Sequence, residues 1–146
     1  MIDVRTIMVI GAGQMGGGIA QVAAQAGYSV FLNDISQDLV DKGLGVIGKN
    51  LKKSVSKERI SEDEKENILK RISPVVGLDR AEACDLVVEA AVENMEVKAK
   101  IFKELDRIAP EQAILASNTS SLPITSIAAA TGRPDRVIGM HFMNPV

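Results

Sequence analysis

The feature that most constrains the fold is a glycine-rich turn between an apolar run and a helix-like segment. Residues 7–10 (I-M-V-I) form a continuous apolar run, and residues 11–16 (G-A-G-Q-M-G) follow it directly. An apolar run of this kind predicts a central parallel strand that is buried on both faces. The segment Gln14 to Ala26 has a face of small apolar residues and is followed by Gly27, which predicts a helix. Together these segments predict the first unit of a doubly wound sheet.

Apolar runs and helical stretches alternate along the rest of the chain. Further strands are predicted at residues 28–32, 72–76, 85–89, 113–116 and 137–140. Strands separated by helices imply right-handed crossovers and a parallel sheet. The predicted fold class is therefore α/β, with a doubly wound, mostly parallel, Rossmann-type sheet, and residues 1–146 form one domain.

Two amphipathic helices are predicted between the second and third strands, which is one more than a crossover needs. Ser36 is suited to cap the first helix, and the residues from Ser61 to Glu64 match a capping box at the start of the second. The resulting helical hairpin spans about residues 36–71 and carries a lysine-rich face. We interpret this surplus hairpin as a candidate substrate-binding feature.

A further amphipathic helix is predicted after Asn94, which is suited to cap it. Its predicted buried positions are Val97, Ile101, Leu105 and Ile108. Lys98 lies one turn into this helix. It is either part of a functional site or a solvated surface lysine.

Composition indicates a globular domain and excludes several functions. Apolar residues make up 46% of the 146 residues and charged residues 25%, as in ordinary globular proteins. The net charge is −2, only 3% of residues are aromatic, and tryptophan is absent, so no nucleic-acid surface is predicted. Cys84 is the only cysteine, which excludes an intramolecular disulfide and a cysteine zinc site, and we predict no metal site.

The same composition leads us to expect a cytoplasmic protein. A lone cysteine is typical of a reducing environment. No apolar run approaches the roughly 20 residues that span a bilayer, so no membrane association is predicted. The first residues lead directly into a strand and do not resemble a signal peptide.

The glycine turn predicts a dinucleotide site. Gly11 permits a tight turn, Gly13 lets a pyrophosphate approach the backbone, and Gly16 lets the helix pack close to the strand. Free N–H groups at the helix start then attract phosphates. Asp34 ends the second strand, at roughly the 20-residue spacing expected of a ribose-binding acid, and would repel a 2′-phosphate. The carboxylate of Asp34 therefore favours NAD over NADP, although Asn33 leaves some tolerance for NADP. The alternative interpretation is a purely structural turn with an exposed aspartate.

Three polar segments follow strands and are expected to meet at one edge of the sheet. They are residues 89–94, 117–121 and 141–145. His141 is the only histidine and is a candidate general base, because its side chain exchanges protons near neutral pH. Ser120 is a candidate hydrogen-bonding residue, since no second histidine exists to activate it as a nucleophile. The alternatives are a structural histidine and a helix-capping role for the other polar residues.

Four segments, taken in order along the chain, carry a family resemblance. They are residues 11–21, 88–94, 117–121 and 141–145. They resemble the 3-hydroxyacyl-CoA dehydrogenases, and the short bacterial 3-hydroxybutyryl-CoA dehydrogenases most. The resemblance implies reversible oxidation of an L-3-hydroxyacyl-CoA to a 3-ketoacyl-CoA, with NAD as the hydride acceptor, in fatty acid or butanoate metabolism.

The resemblance also implies a role for each matching residue. His141 would be the catalytic base, Ser120 would hydrogen-bond the reacting oxygen beside cofactor and substrate, and Asp34 would hold the adenosine ribose. The implied NAD site contains Gly11, Gly13, Gln14, Met15, Gly16, Asp34, Ala91, Val92, Glu93, Lys98, Ser120 and Asn144. The implied CoA-binding residues are Ser120, Asn50 and Lys57, although the family places a serine where this chain has Asn50.

Family members continue into a helical C-terminal domain, which closes the acyl pocket, supplies a carboxylate partner for the histidine and usually forms a homodimer. This chain ends at Val146. We therefore expect an isolated NAD-binding domain with weak activity or none. The alternatives are a non-catalytic NAD-binding module and a dehydrogenase of a free hydroxy acid.

Overall fold

The structure, a computed structural model that describes residues 1–146, contains one six-stranded sheet. The strands are β1 (Thr6–Ile10), β2 (Ser29–Asp34), β3 (Ile72–Val76), β4 (Leu86–Glu89), β5 (Ile114–Ser117) and β6 (Val137–Gly139). The α-helices are α1 (Gln14–Gln25), α2 (Gln37–Ser56), α3 (Glu62–Lys70), α4 (Met95–Ile108) and α5 (Ile124–Ala128). The strand order is β3-β2-β1-β4-β5-β6 and every pairing is parallel. The predicted fold class is confirmed.

Strand β1 separates two hydrophobic cores. Ile7 and Val9 belong to the core beneath α1, α2 and α3. Met8 and Ile10 point to the other face and pack in a second core with Phe102 of α4. The strand order changes direction at β1, because β2 and β3 lie on one side of it and β4, β5 and β6 lie on the other. In such sheets, ligands bind beyond the C-terminal ends of the strands at the point where the order changes.

The predicted hairpin is present as α2 and α3. The Ser36 hydroxyl accepts a hydrogen bond from the Leu39 N–H at 3.3 Å, and the Ser61 hydroxyl accepts one from the Glu64 N–H at 3.1 Å. Both predicted caps are therefore confirmed. The lysines of the hairpin's outer face are exposed: Lys49, Lys52, Lys53 and Lys57. No helix of the chain is both long enough and apolar enough to cross a bilayer.

Of the four predicted buried positions of α4, only Leu105 is fully buried, whereas Ile101 and Ile108 are partly buried and Val97 is exposed. Val97 is 37% exposed, whereas Lys98 is only 1% exposed and lies in line with the fully buried Phe102 and Leu105. The reason is a buried counter-charge, Glu89, which holds the lysine inside the protein. Apolar spacing alone does not reveal such a partner.

The C-terminal end of α4 is fixed by an arginine. Arg133 Nε donates to Asp106 Oδ1 at 2.8 Å, and its Nη2 donates to the carbonyl oxygen of Ala109 at 3.1 Å. The Gly132 N–H donates to Asp106 Oδ2 at 2.8 Å. This bond, helped by the Arg133 guanidinium against the effect of burial, holds the pKa of Asp106 below its ordinary value of 3.8.

Replacing Asp106 by asparagine is expected to destabilise the fold in a pH-dependent way. Because the folded-state pKa lies below the unfolded value, the carboxylate stabilises the fold above the unfolded pKa. That stabilisation is lost as the pH falls through the folded pKa. Urea unfolding of the wild type and Asp106→Asn should therefore differ at pH 7, and the difference should shrink as the pH falls below the ordinary aspartate pKa. An equal difference at pH 7 and below that pKa would contradict this, and Asp135→Asn on the adjoining exposed turn serves as the control.

Candidate functional site

Two adjoining grooves meet at the C-terminal edge of the sheet. The first, of about 790 Å³, lies between α1, α2 and the last residues of the chain. The second, of about 460 Å³, lies over the ends of β4 and β5. Asn144 lines both grooves, and its Oδ1 accepts a hydrogen bond from Gln14 Nε2 at 3.2 Å. The grooves therefore form one path across the point where the strand order reverses.

The three glycines of the turn differ in what a side chain at each position would contact. Gly11 has a φ of +99°, and a Cβ there would lie 2.6 Å from the Ala90 carbonyl oxygen. A Cβ on Gly16 would lie 1.7 Å from the Gly11 carbonyl oxygen. A Cβ on Gly13 would meet nothing within 4 Å, and this residue lines the first groove. Gly11 and Gly16 are thus required by the protein's own packing, whereas Gly13 leaves space beside the groove.

The start of α1 is suited to bind an anion. No side chain caps this helix at Gly13, and its first turn contains no acidic residue. The first N–H groups of a helix have no partner within the helix, and the dipole places positive potential there. Gln14 lines the first groove and Met15 the second, so this helix end lies where the two grooves meet. A phosphate group fits such a position.

The carboxylate of Asp34 is held against the glycine turn. Its Oδ2 accepts the Ala12 N–H at 2.8 Å and its Oδ1 accepts the Ile35 N–H at 2.7 Å. Asp34 lines the first groove, where its remaining lone pairs can accept hydrogen bonds from the hydroxyl groups of a ligand. Asn33 is buried, and its amide donates to the carbonyl of Gly77 instead. Asn33 is not among the residues that line the first groove, and the tolerance for NADP stays a prediction.

Most of the other predicted residues meet in the second groove. They are Met15, Ala91, Glu93, Lys98, Ser120, His141 and Asn144. Ser120 and His141 are exposed, so both side chains are open to a ligand. Residues from α1, from α4 and from the segments that follow β4, β5 and β6 thus reach one site, as expected for side chains that follow parallel strands.

The backbone on both sides of His141 is fixed to the end of β5. The Met140 N–H donates to the Ser117 carbonyl at 2.8 Å, and the Phe142 N–H donates to Asn118 Oδ1 at 2.7 Å. The histidine is thereby held beside the loop that carries Ser120. Asn118 was not singled out from the sequence beyond its place in a polar segment.

A buried ion pair lies beside the second groove, which its lysine, Lys98, lines. Glu89 is fully buried, and its carboxylate oxygens lie 2.8 and 2.6 Å from Lys98 Nζ. The same carboxylate accepts the Ala91 N–H and the Ser117 hydroxyl, each at 2.6 Å. The interpretation of Lys98 as a solvated surface lysine is therefore wrong. Sequence reasoning also missed Glu89 as a distinct site residue, and the available signal was an acid at the end of a buried strand.

Glu93 joins this ion pair to the Ser120 loop. Its Oε1 lies 3.2 Å from Lys98 Nζ, and its Oε2 accepts the Thr119 and Ser121 hydroxyls at 2.6 and 2.9 Å. Burial on its own would raise the pKa of Glu93. The hydrogen bonds from the two hydroxyls and the lysine outweigh burial and hold the pKa below its ordinary value. Glu93 is therefore ionised and holds both neighbours of Ser120.

The remaining predicted residues lie apart from the second groove. Gly11 and Gly16 are inside the turn, and Val92 is 67% exposed on the neighbouring loop. Asn50 lines the first groove. Lys57 lies outside both grooves, at the exposed C-terminal end of α2, so the structure does not place the two predicted CoA-binding residues of the hairpin in one pocket.

Known proteins share both the sequence and the fold. The chain is 52% identical over 145 residues to a probable 3-hydroxybutyryl-CoA dehydrogenase of Bacillus subtilis, covering 99% of the chain and 50% of the relative. It is 53% identical over 143 residues to a 3-hydroxybutyryl-CoA dehydrogenase of Bradyrhizobium diazoefficiens, covering 98% and 49%. A crystal structure of (S)-3-hydroxybutyryl-CoA dehydrogenase from Ralstonia eutropha superposes with a TM-score of 0.96 at 46% identity, covering 99% of the chain and 51% of that structure.

The chain thus spans about half the length of the relatives it matches. The family model described as "3-hydroxyacyl-CoA dehydrogenase, NAD binding domain" matches residues 6–146, which include both grooves. The chain therefore belongs to the 3-hydroxyacyl-CoA dehydrogenase family, as an NAD-binding domain of that family.

Proposed function

We propose that the complete protein interconverts an L-3-hydroxyacyl-CoA and a 3-ketoacyl-CoA by hydride transfer, with 3-hydroxybutyryl-CoA as the favoured substrate. The observation that carries this proposal is that His141 and Ser120 share one groove, which adjoins the glycine turn and Asp34. The names of the relatives support the same reaction. Fatty acid or butanoate metabolism would be its setting.

The two grooves suit NAD in one orientation. Asp34 would bind the adenosine ribose, and the start of α1 would bind the pyrophosphate. The second groove would then accept the nicotinamide end, bordered by Met15, Glu93 and Asn144. The fixed carboxylate of Asp34 disfavours the 2′-phosphate of NADP by charge repulsion.

His141 and Ser120 would have different roles at the reacting carbon of the substrate. Bound NAD supplies the hydride acceptor. His141 would take the proton of the 3-hydroxyl group as that group becomes a carbonyl, and would return it in the reverse direction. Ser120 would hydrogen-bond the same oxygen and hold it in place. Both roles require exposed side chains on fixed backbone, which the second groove provides.

The hairpin is proposed to bind the CoA moiety. CoA carries phosphate groups, and the exposed lysines of α2, including Lys57, offer positive charge to them. Asn50 borders the first groove on the same helix and could donate a hydrogen bond. An ordinary solvated lysine face would give no preference for CoA thioesters over free acids.

A rate comparison tests the proposal. Consumption of NADH is followed with acetoacetyl-CoA and with acetoacetate, in the 146-residue chain and in a version continued through the second half found in relatives. We expect slow turnover by the chain alone, faster turnover by the longer version, and a strong preference for the thioester and for NADH over NADPH. Equal use of the free acid would favour a hydroxy acid dehydrogenase. NADH binding without turnover in the longer version would favour a non-catalytic module.

Location and assembly are further parts of the proposal. A cytoplasmic location is supported by the single cysteine, Cys84, which is a free buried thiol. A homodimer formed through segments beyond this chain is supported by the family resemblance. Light scattering of the longer version tests the assembly, and a monomer would contradict it.

A further inference from the structure

A closed ring of hydrogen bonds connects the ends of β4 and β5 beside the second groove. We name it the Glu89 ring, and its members are Glu89, Lys98, Glu93, Thr119 and Ser117. The ring starts at the fully buried Glu89 carboxylate and returns to it through the Ser117 hydroxyl. Every link is a hydrogen bond or an ion pair no longer than 3.3 Å. None of the links involves Ser120 itself.

The lysine of the ring has no spare hydrogen. Lys98 Nζ carries three donors and contacts three carboxylate oxygens, two on Glu89 and one on Glu93. At 1% exposure it acts on the groove through Glu93 and does not present a free ammonium group. Glu89 thus holds Lys98 in place, and Lys98 holds Glu93 together with the Thr119 and Ser121 hydroxyls.

The Ser120 loop depends on the ring for its own amide partners. The Thr119 N–H donates to the Ser117 hydroxyl at 3.3 Å. The Ser121 and Leu122 N–H groups donate to the Thr119 hydroxyl at 3.4 and 3.1 Å. Each of these hydroxyls donates its own hydrogen to a ring carboxylate. Disturbing either carboxylate thus disturbs the backbone on both sides of Ser120.

We propose that Glu89 is a positioning residue, whose buried carboxylate anchors Lys98 and Ser117 and thereby sets the position of Ser120 in the groove. The role of Ser120 in the reaction rests on the proposed function. The positioning itself rests only on the ring geometry. A shift of about 1 Å in a group that must meet a reacting atom can change a rate by a factor of roughly 10².

Glu89→Gln tests the proposal, because it keeps the size and the acceptor oxygen but removes the charge. Backbone amide hydrogen exchange is measured by NMR in the 146-residue chain, together with NADH affinity by fluorescence titration and the midpoint of thermal unfolding. We expect exchange at Ser121 and Leu122 to rise about tenfold or more and NADH affinity to fall about tenfold. Amides at the Arg133 end of α4 should be unchanged.

A second variant separates positioning from simple charge neutralisation. Glu89→Gln/Lys98→Met removes both buried charges, so that stability is expected to recover even if the single variant folds poorly. The proposal requires exchange at Ser121 and NADH affinity to remain impaired in this stable double variant. Full recovery of both, together with stability, would overturn it.

The two proposals can fail separately. Wild-type chain that does not bind NADH contradicts the proposed function, while the exchange measurement still decides whether Glu89 positions the loop. Wild-type exchange rates at Ser121 and Leu122 in Glu89→Gln overturn the positioning role whatever the cofactor result. The matched control is Arg133→Met, which removes another partly buried ion pair and should lower stability without changing NADH affinity.

Discussion

Replacing His141 by alanine is expected to lower the rate of acetoacetyl-CoA reduction by about 10²–10⁴-fold, the usual contribution of a positioned general base. NADH affinity and fold stability should change little. The imidazole is exposed, and the hydrogen bonds that fix its segment come from the N–H groups of Met140 and Phe142, which the substitution leaves in place. The measurement is NADH consumption by the longer version of the protein, which continues through the second half found in relatives. NADH binding is followed by fluorescence.

The appropriate control for this prediction lies in the same groove. Met143 lines it and is 74% exposed, so Met143→Ala removes contact area but no proton acceptor. Its rate should stay within a few-fold of the wild type. A His141→Ala rate within tenfold of the wild type would mean that another group takes the proton, and the assignment of the base would be wrong.

A pair of alanine substitutions in the glycine turn is expected to separate folding from binding. Gly16→Ala places a Cβ 1.7 Å from the Gly11 carbonyl, so the start of α1 must move away from the strand. We expect a loss of about 3 kcal/mol or more in the free energy of unfolding. Gly13→Ala places a Cβ in open space at a φ of −74°, so stability should stay within about 0.5 kcal/mol.

Cofactor binding is expected to suffer in Gly13→Ala, the variant that keeps its stability. The new methyl group of Gly13→Ala would occupy the space that a pyrophosphate needs, and NADH affinity should fall about tenfold to a hundredfold. Urea unfolding and fluorescence titration of both variants give the comparison. Unchanged NADH affinity in Gly13→Ala would place the pyrophosphate elsewhere and remove support for the proposed orientation.

Local rules are sufficient to predict the scaffold and the residues that line the candidate dinucleotide half of the first groove. An apolar run, a glycine turn and a small-residue helix determine β1 and α1, and Ser36 and Ser61 cap their helices by contacts within the same segment. Asp34 is predicted as a ribose-binding residue because its distance along the chain from the turn is characteristic, and the structure places it in the first groove. These features depend on neighbours in sequence, which a single chain reveals.

The other half of the site depends on partners that are distant in sequence. Ser117 lies far along the chain from Glu89, and only the pairing of β5 with β4 brings the two together. In the sequence, Lys98 is a polar residue beside the apolar positions of α4. Its burial is explained by the opposite charge of Glu89 on β4. Periodicity therefore selected Val97 as a buried residue in its place. Tertiary electrostatics overrode the local pattern at this position.

The exposed side chains of Ser120 and His141 in the second groove are each flanked by residues whose hydrogen bonds fix the local backbone. Ser120 stands between Thr119 and Ser121, which are tied to Glu93, and His141 stands between two residues tied to the end of β5. Replacing the side chain at either position is therefore expected to have little effect on folding. The same scaffold could serve a different transformation after one or two substitutions, so divergence of activity within this architecture need not pass through unstable intermediates.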